Sequence, residues 1–218
     1  MTDDPSPRSR RYRGQNASER QADRRVRLLA AGLELFGTAG YAAVSVKQVC
    51  VQAGLTERYF YESFTDREDL LTAVYDEQIN LVRHATLTAL TTSEPTVRAL
   101  ATAGVGTFVR TVADDPRRAR VIFIEVVGVS PALELRRRGV MREFAQVIVG
   151  IAGGQLGTQP GERLSLAAMI FAGGLTEVLV DWALGDQAVA IEQITAVAVT
   201  LLDRTFEVFR DELDGSEA

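Results

Sequence analysis

The chain has 218 residues, enough for one or two domains at about 150 residues each, and its 46% hydrophobic content can fill a core, which excludes disorder throughout. With 24 basic and 29 acidic residues the net charge is −5, which excludes a uniformly basic coat for nucleic acid but not a local basic face. A single cysteine, Cys50, and a single histidine, His84, exclude an internal disulfide, a cysteine-based zinc site and multi-histidine catalysis, so no metal and no other cofactor is expected, and a reducing, cytoplasmic setting fits.

Residues 1–17 combine Pro5, Pro7, Gly14 and four arginines, Arg8, Arg10, Arg11 and Arg13, with almost nothing apolar. A flexible basic arm is expected, which can follow a minor groove or simply add nonspecific attraction. It has no apolar h-region of a signal peptide. Ser18-Glu19-Arg20-Gln21 reads as the capping box of a first helix, with Ala22, Val26, Leu29, Ala30, Leu33 and Phe36 at helical spacing and an end at Gly37 or Gly40. Arg20, Arg24 and Arg27 share a face of it, either close to a nucleic-acid backbone or merely solvated. Ser45-Val46-Lys47-Gln48 is a second capping box, and Val46, Val49, Cys50 and Ala53 give a short helix that Gly54 stops. Thr56 stands at the N-cap of a third helix reaching about Ser63, and Thr65-Asp66-Arg67-Glu68 caps a fourth that continues to about Leu90.

Breaks follow at Ser93-Glu94-Pro95, Asp115-Pro116, Ser130-Pro131, Gly157 to Gly161 and Gly185-Asp186, with Ser or Asp preceding Pro in the opening turn of three helices. No strand alternation interrupts them, so the expectation is an all-α fold of about nine helices. The longest charge-free stretch, Phe144 to Gly161, contains glutamines, glycines and a proline and cannot span a bilayer, so no membrane partner is expected. The expected domains are the arm at 1–17, a small helical domain at 18–66 and a larger one at 67–218. Charge divides along them: +6 between Arg8 and Arg58, and −6 over residues 72 to 218.

Two short helices joined by Ala53-Gly54-Leu55-Thr56 have the form of a helix-turn-helix, in which the second helix enters a major groove. A generic helical hairpin shares these caps. Leu29 to Leu71, with Leu35-Phe36, Gly40-Tyr41, Ser45-Val46, Ala53-Gly54-Leu55-Thr56, Phe60-Tyr61, Phe64 and Arg67-Glu68-Asp69-Leu70-Leu71, closely resembles the N-terminal domain of the TetR family of transcriptional repressors. The resemblance implies an all-helical homodimer in which three N-terminal helices bind double-stranded operator DNA and a larger domain holds an inducer pocket and the dimer interface. Two positions depart from it: Ser63, where the family commonly has an aromatic, and Arg58, where many members have a small residue. Operator sequence therefore does not transfer.

Each candidate DNA contact has its own chemistry. Thr56 can cap with its hydroxyl or donate to phosphate. Arg58 can make a bidentate contact to guanine O6 and N7. Tyr59 and Tyr61 lie about 200° apart around a helix, so they cannot both be core. Family position puts Tyr59 at the bases and Tyr61 at phosphate, the alternative being that Tyr61 packs under helix 1. Glu57 can accept from cytosine N4 or favour the helix N-terminus electrostatically. Ser45, Lys47 and Arg67, at helix starts, suit phosphate contacts.

In the C-terminal part, aromatic and sulfur-bearing side chains recur on successive helices, and a pocket for a mainly apolar inducer would use a minority of them. Phe108, Phe123, Met141, Phe144 and Trp182 are candidates, together with the polar residues His84, Glu125, Glu177 and Asp181 that interrupt apolar faces. Glu177 and Asp181, four apart, either fix a cationic or hydroxylated ligand or form a wet edge. Arg136-Arg137-Arg138 reads as a solvated face. Ile191, Ile194, Val197, Ala198, Leu201, Leu202, Thr205 and Val208 form a long apolar stripe suited to dimerisation, the alternative being packing within the chain only. Gly173-Gly174, costing about 1 kcal/mol per residue in a helix, suggests close approach of another helix. The competing reading is a small-molecule carrier or helical enzyme without DNA binding. An enzyme is not expected, since His84 would have to serve any triad alone and no glycines precede Lys47.

Overall fold

The computed structural model describes residues 7–157, 161–185 and 189–216. Among them there is no strand. Nine α-helices are joined by loops, one 3-10 turn at Tyr41–Ala43 and one π-helical turn at Val121–Glu125. The chain divides into two compact units, Met1–Val74 and Tyr75–Ala218, which part within α4.

The first unit holds α1 (Pro7–Thr38), α2 (Val46–Ala53), α3 (Glu57–Tyr61) and the opening turns of α4 (Arg67–Thr91). Helix α1 starts at Pro7, ahead of the expected Ser18 start, so residues 7–17 have a helical backbone where an arm was expected. Nothing from Arg8 to Arg25 is β-branched, arginine is a good helix former, and a proline is tolerated in a first turn. The Ser18 motif therefore lies mid-helix, where a capping box has nothing to cap. Ser45 does cap α2 reciprocally with Gln48, and Gly54 ends it with φ 63°. At α4 the cap falls one residue later than the spacing suggests: the Asp69 N–H donates to Asp66 Oδ1 at 2.8 Å, while Asp69 Oδ2 accepts from the Thr65 N–H at 2.9 Å. Leu28, Phe36, Val49, Phe60, Leu70 and Val74 are fully buried at the centre of this unit. A Cβ on Gly32 would stand 2.9 Å from Val74, so glycine there lets α1 lie close against α4.

The second unit continues with α5 (Val97–Ala113), α6 (Pro116–Arg120), α7 (Pro131–Leu156), α8 (Glu162–Leu184) and α9 (Ile191–Ser216). Asp115 and Ser130 cap helices whose first residue is proline, as their sequence predicts. Helix α5 instead starts at Val97 under a Thr96 cap, leaving Pro95 outside it. Residue 186 and residues 158–160 of the expected breaks lie outside the described residues. Small side chains let α7 and α8 pack closely through Ala145, Val149, Ala168 and Ala172. Helix α5 packs on α9. The apolar stripe of α9 divides: Ile194 and Ala198 are buried, whereas Val197, Leu201 and Val208 are exposed. Helix α8, with mean hydropathy 1.6, has the length and composition to cross a bilayer, yet one such helix is weak support for a span, and exposed Glu177 and Asp181 interrupt it. Among the described residues, a Cβ at Gly173 or Gly174 would meet no atom of another helix within 4 Å, so the close approach expected there is not made within them.

Candidate functional site

Helix α3 is only five residues long, too short to hold itself, and arginines of α1 fasten it. Arg24 Nη2 donates to Glu62 Oε2 at 3.3 Å, and its guanidinium lies 4.5 Å from the Tyr59 ring centroid. Arg25 Nη1 donates to the Ser63 carbonyl at 2.9 Å and covers the Phe64 ring. Arg27 Nη2 donates to the carbonyls of Ala53 and Gly54 at 2.6 and 3.1 Å, closing the turn between α2 and α3. These contacts define roles that spacing alone left between DNA backbone and solvent. Arg25 and Arg27 satisfy carbonyls at the ends of short helices, which otherwise lack partners, while Arg24 pairs with a carboxylate.

With its rear face held, α3 turns Thr56, Glu57, Arg58 and Tyr61 outward, all exposed. Thr56 occupies the N-cap position with extended backbone and makes no side-chain cap bond, which leaves its hydroxyl available to an external acceptor. The Arg58 side chain is 85% exposed, and its Nε pairs with Glu62 at 3.3 Å. Tyr61 stands 58% exposed, so it does not pack under α1; Tyr59 is the tyrosine that α1 covers, through Arg24. Ser45 and Lys47, at the start of α2, are exposed, the former engaged with Gln48. Arg67 is placed differently. Its Nη1 donates to the carbonyls of Tyr41 and Val44 and its guanidinium lies 4.8 Å from the Tyr41 ring centroid, so it is committed to the chain beneath α4 instead of standing free as a phosphate donor.

The second unit holds a partly open cavity of about 650 Å³, within the usual range for small-molecule sites of about 300–1,000 Å³. Its wall is mostly apolar, and α7 contributes a stripe from Arg137 to Gln155, about 27 Å long at 1.5 Å per residue. Phe108, Phe123, Met141, Phe144 and Glu177 of the expected ligand residues line it. Phe108 and Phe144 meet edge-on with ring centroids 5.2 Å apart. The other four lie elsewhere: His84 and Asp181 face solvent, and Trp182 is buried outside the wall. Glu125 pairs with Arg120 at 2.8 Å, because a π turn brings residues five apart together. The run Arg136-Arg137-Arg138 is ion-paired instead of merely solvated: Arg136 with Asp76, and both Arg137 and Arg138 with Glu134. The wall also holds Thr86 and Arg137, which spacing does not point to, and Tyr75, one of the recurring aromatics outside the expected set. A polar residue at a cavity carries the same helical spacing as one in a core, and only Arg137 had a signal, as a charge on an otherwise apolar stripe.

Residues 28–74 match the family profile of bacterial regulatory proteins of the tetR family. The structure of the transcriptional regulator FadR from Bacillus subtilis in complex with stearoyl-CoA is similar, with 20% identity, a TM-score of 0.71, and coverage of 81% of this chain and 96% of that one. The fatty acid degradation regulator FadR from Bacillus halodurans has 18% identity, a TM-score of 0.72, and coverage of 82% and 94%. A tetR-family regulatory protein from Rhodococcus RHA1 has 22% identity, a TM-score of 0.65, and coverage of 83% and 95%. No curated protein sequence matches this chain. At these identities the likeness is one of fold.

Proposed function

We propose, for a chain that carries the tetR-family DNA-binding domain at residues 28–74 and the fold of TetR-family regulators, that it is a ligand-released repressor acting on a palindromic operator in the cytoplasm. The observation that carries the reading is the outward face of α3, with Thr56, Arg58 and Tyr61 exposed while Arg24, Arg25 and Arg27 hold its rear. Base contact falls to Arg58 and Glu57, phosphate contact to Thr56, Tyr61, Ser45 and Lys47. The exposed apolar residues of α8 and α9, Ile170, Val197 and Leu201 among them, support a homodimer whose recognition helices address half-sites about 34 to 36 Å apart or somewhat more.

The cavity supports an apolar inducer, and its length favours a long acyl chain, the class to which the stearoyl-CoA of the Bacillus subtilis neighbour belongs. To release DNA the ligand must bind the DNA-incompetent arrangement better, and a tenfold loss of operator affinity needs about 1.4 kcal/mol of coupling. Helix α4 is the element to carry it, since it starts in the first unit and contributes Tyr75 to Leu90 to the cavity wall. Footprinting on the DNA upstream of the protein's own gene, with and without stearoyl-CoA, tests the reading. A symmetric protected site that the ligand abolishes is expected. Binding of stearoyl-CoA with no duplex bound at low salt would make the protein a carrier.

A further inference from the structure

The polar groups of the cavity are unevenly placed. Glu177 and Gln155 stand at exposed positions of α8 and α7, whereas Tyr75 and Arg137 are the first residues that α4 and α7 give to the wall. Tyr75 is 1% exposed and its hydroxyl makes no hydrogen bond among the described residues, and on the same wall Thr86 Oγ1 is buried without a partner. A hydroxyl kept from bulk water without a partner is costly and uncommon, and here both line a space large enough for a ligand to supply one. Arg137 bonds Glu134 through Nε and Nη2, each at 3.0 Å, which leaves Nη1 uncommitted. Of the charged groups around the Tyr75 phenol, Arg137 acts on it most strongly. The carboxylates that act on the phenol are ion-paired, Asp76 with Arg136 and Glu143 with Arg83, and Glu134 is paired with Arg137 and Arg138. An anionic group is therefore favoured at this end and disfavoured beside Glu177.

Resting on the acyl-ligand reading above, we infer that Tyr75 and Arg137 form the polar anchor of the cavity, receiving the carboxyl-derived end of a long acyl ligand while its chain lies along α7 toward Gln155. The Tyr75 hydroxyl donates to an acyl oxygen, and Arg137 Nη1 donates to the same oxygen or to an anionic group beside it. Arginine suits this place because its planar fork serves Glu134 on one edge and a ligand on the other. A free carboxylate and a thioester with a phosphate-bearing head share the acyl oxygen and the negative charge.

Calorimetric titration of the full chain with stearate, stearoyl-CoA and the uncharged stearyl alcohol tests the anchor. Tyr75→Phe and Arg137→Gln are expected to weaken stearate by about ten- to a hundredfold, as loss of a charge-assisted hydrogen bond does. Arg137→Gln should leave stearyl alcohol unchanged, and Arg138→Gln, which removes a charge from the same Glu134 outside the cavity, should leave all three unchanged. Equal loss for stearoyl-CoA extends the anchor to the thioester, whereas loss confined to stearate assigns it to the free carboxylate. Unaltered stearate binding in both Tyr75→Phe and Arg137→Gln, each with a wild-type melting curve, overturns this inference alone. Failure of all three compounds to bind the unaltered protein overturns the acyl-ligand reading with it.

Discussion

Arg27 closes the turn of the helix-turn-helix from behind, its Nη2 donating to the Ala53 carbonyl at 2.6 Å. Because the bond is charge-assisted and the carbonyl ends a helix, Arg27→Met, which keeps the apolar stem, should cost about 1–3 kcal/mol of stability. Urea unfolding followed by circular dichroism measures it. Operator affinity should fall through looser placement of α3, with the salt dependence unchanged, because Arg27 neutralises no phosphate. A salt slope shallower by about one ion would place Arg27 on the DNA backbone.

Gly54 and Arg27 are coupled. Gly54 has φ 63°, where a side chain costs about 1–2 kcal/mol, and a Cβ there would also lie 2.9 Å from Arg27 Nη2. Gly54→Ala should therefore destabilise by both effects, and in an Arg27→Met background only the backbone part should remain. A double-mutant cycle on unfolding free energies measures the coupling, and strict additivity would remove the contact as a cause.

Arg58 and Arg67 should separate recognition from folding. Arg58 is exposed and its ion pair with Glu62 is of the surface type, so Arg58→Ala should leave the melting temperature nearly unchanged. The same change should lower specific affinity by about 1–3 kcal/mol at one position per half-site, read by competition with single-base operator variants. Arg67→Ala should do the reverse first, lowering stability by about 1–3 kcal/mol as the Tyr41 and Val44 carbonyls lose their donor.

What the sequence makes legible follows from the range of the interaction. Caps act within four residues, so Ser45 with Gln48, Gly54, Asp115-Pro116 and Ser130-Pro131 announce helix ends before any fold is known. Ser18 misleads for the same reason: its motif is local, and continuation of the helix through it depends on residues on both sides. Arg24 and Arg25 reach partners 38 residues away, and no helical spacing distinguishes such a brace from a solvated charge. The cavity wall is harder still. Phe108, Met141 and Phe144 face it from apolar stripes that would look the same around a filled core, whereas Glu125 was drawn away by a π turn that spacing based on an α-helix does not anticipate.

Acid should act on the second unit through Glu134. Hydrogen bonds from Arg137 and Arg138 hold its carboxyl at about 2, against an ordinary value of about 4.5. A folded value below the unfolded one favours folding of the ionised form, so the contribution is complete above about 4.5 and is lost as pH falls from there toward about 2. Glu134→Gln should flatten that part of the melting temperature against pH and change nothing in its slope above pH 6. An unchanged acid limb would mean that Glu134 is not held in this way in solution.

Gly174 separates a protomer effect from a dimer effect. It lies mid-helix in α8, exposed, and a Cβ built on it would meet no atom beyond its own helix backbone within 4 Å among the described residues. Judged on the protomer alone, Gly174→Leu removes a helix-destabilising residue and should stabilise by up to about 1 kcal/mol. If a second copy lays its helices against Ile170, Gly174 and Leu201, the added side chain occupies the space that copy needs, and overpacking costs typically about 1–3 kcal/mol at each of two symmetry-related sites. Sedimentation equilibrium should then show Gly174→Leu dissociating at concentrations where the unaltered protein is dimeric, with helicity retained. Operator binding should weaken in step, because one protomer reads only one half-site. A stabilised protein that keeps its dimer would move the interface off this face of α8.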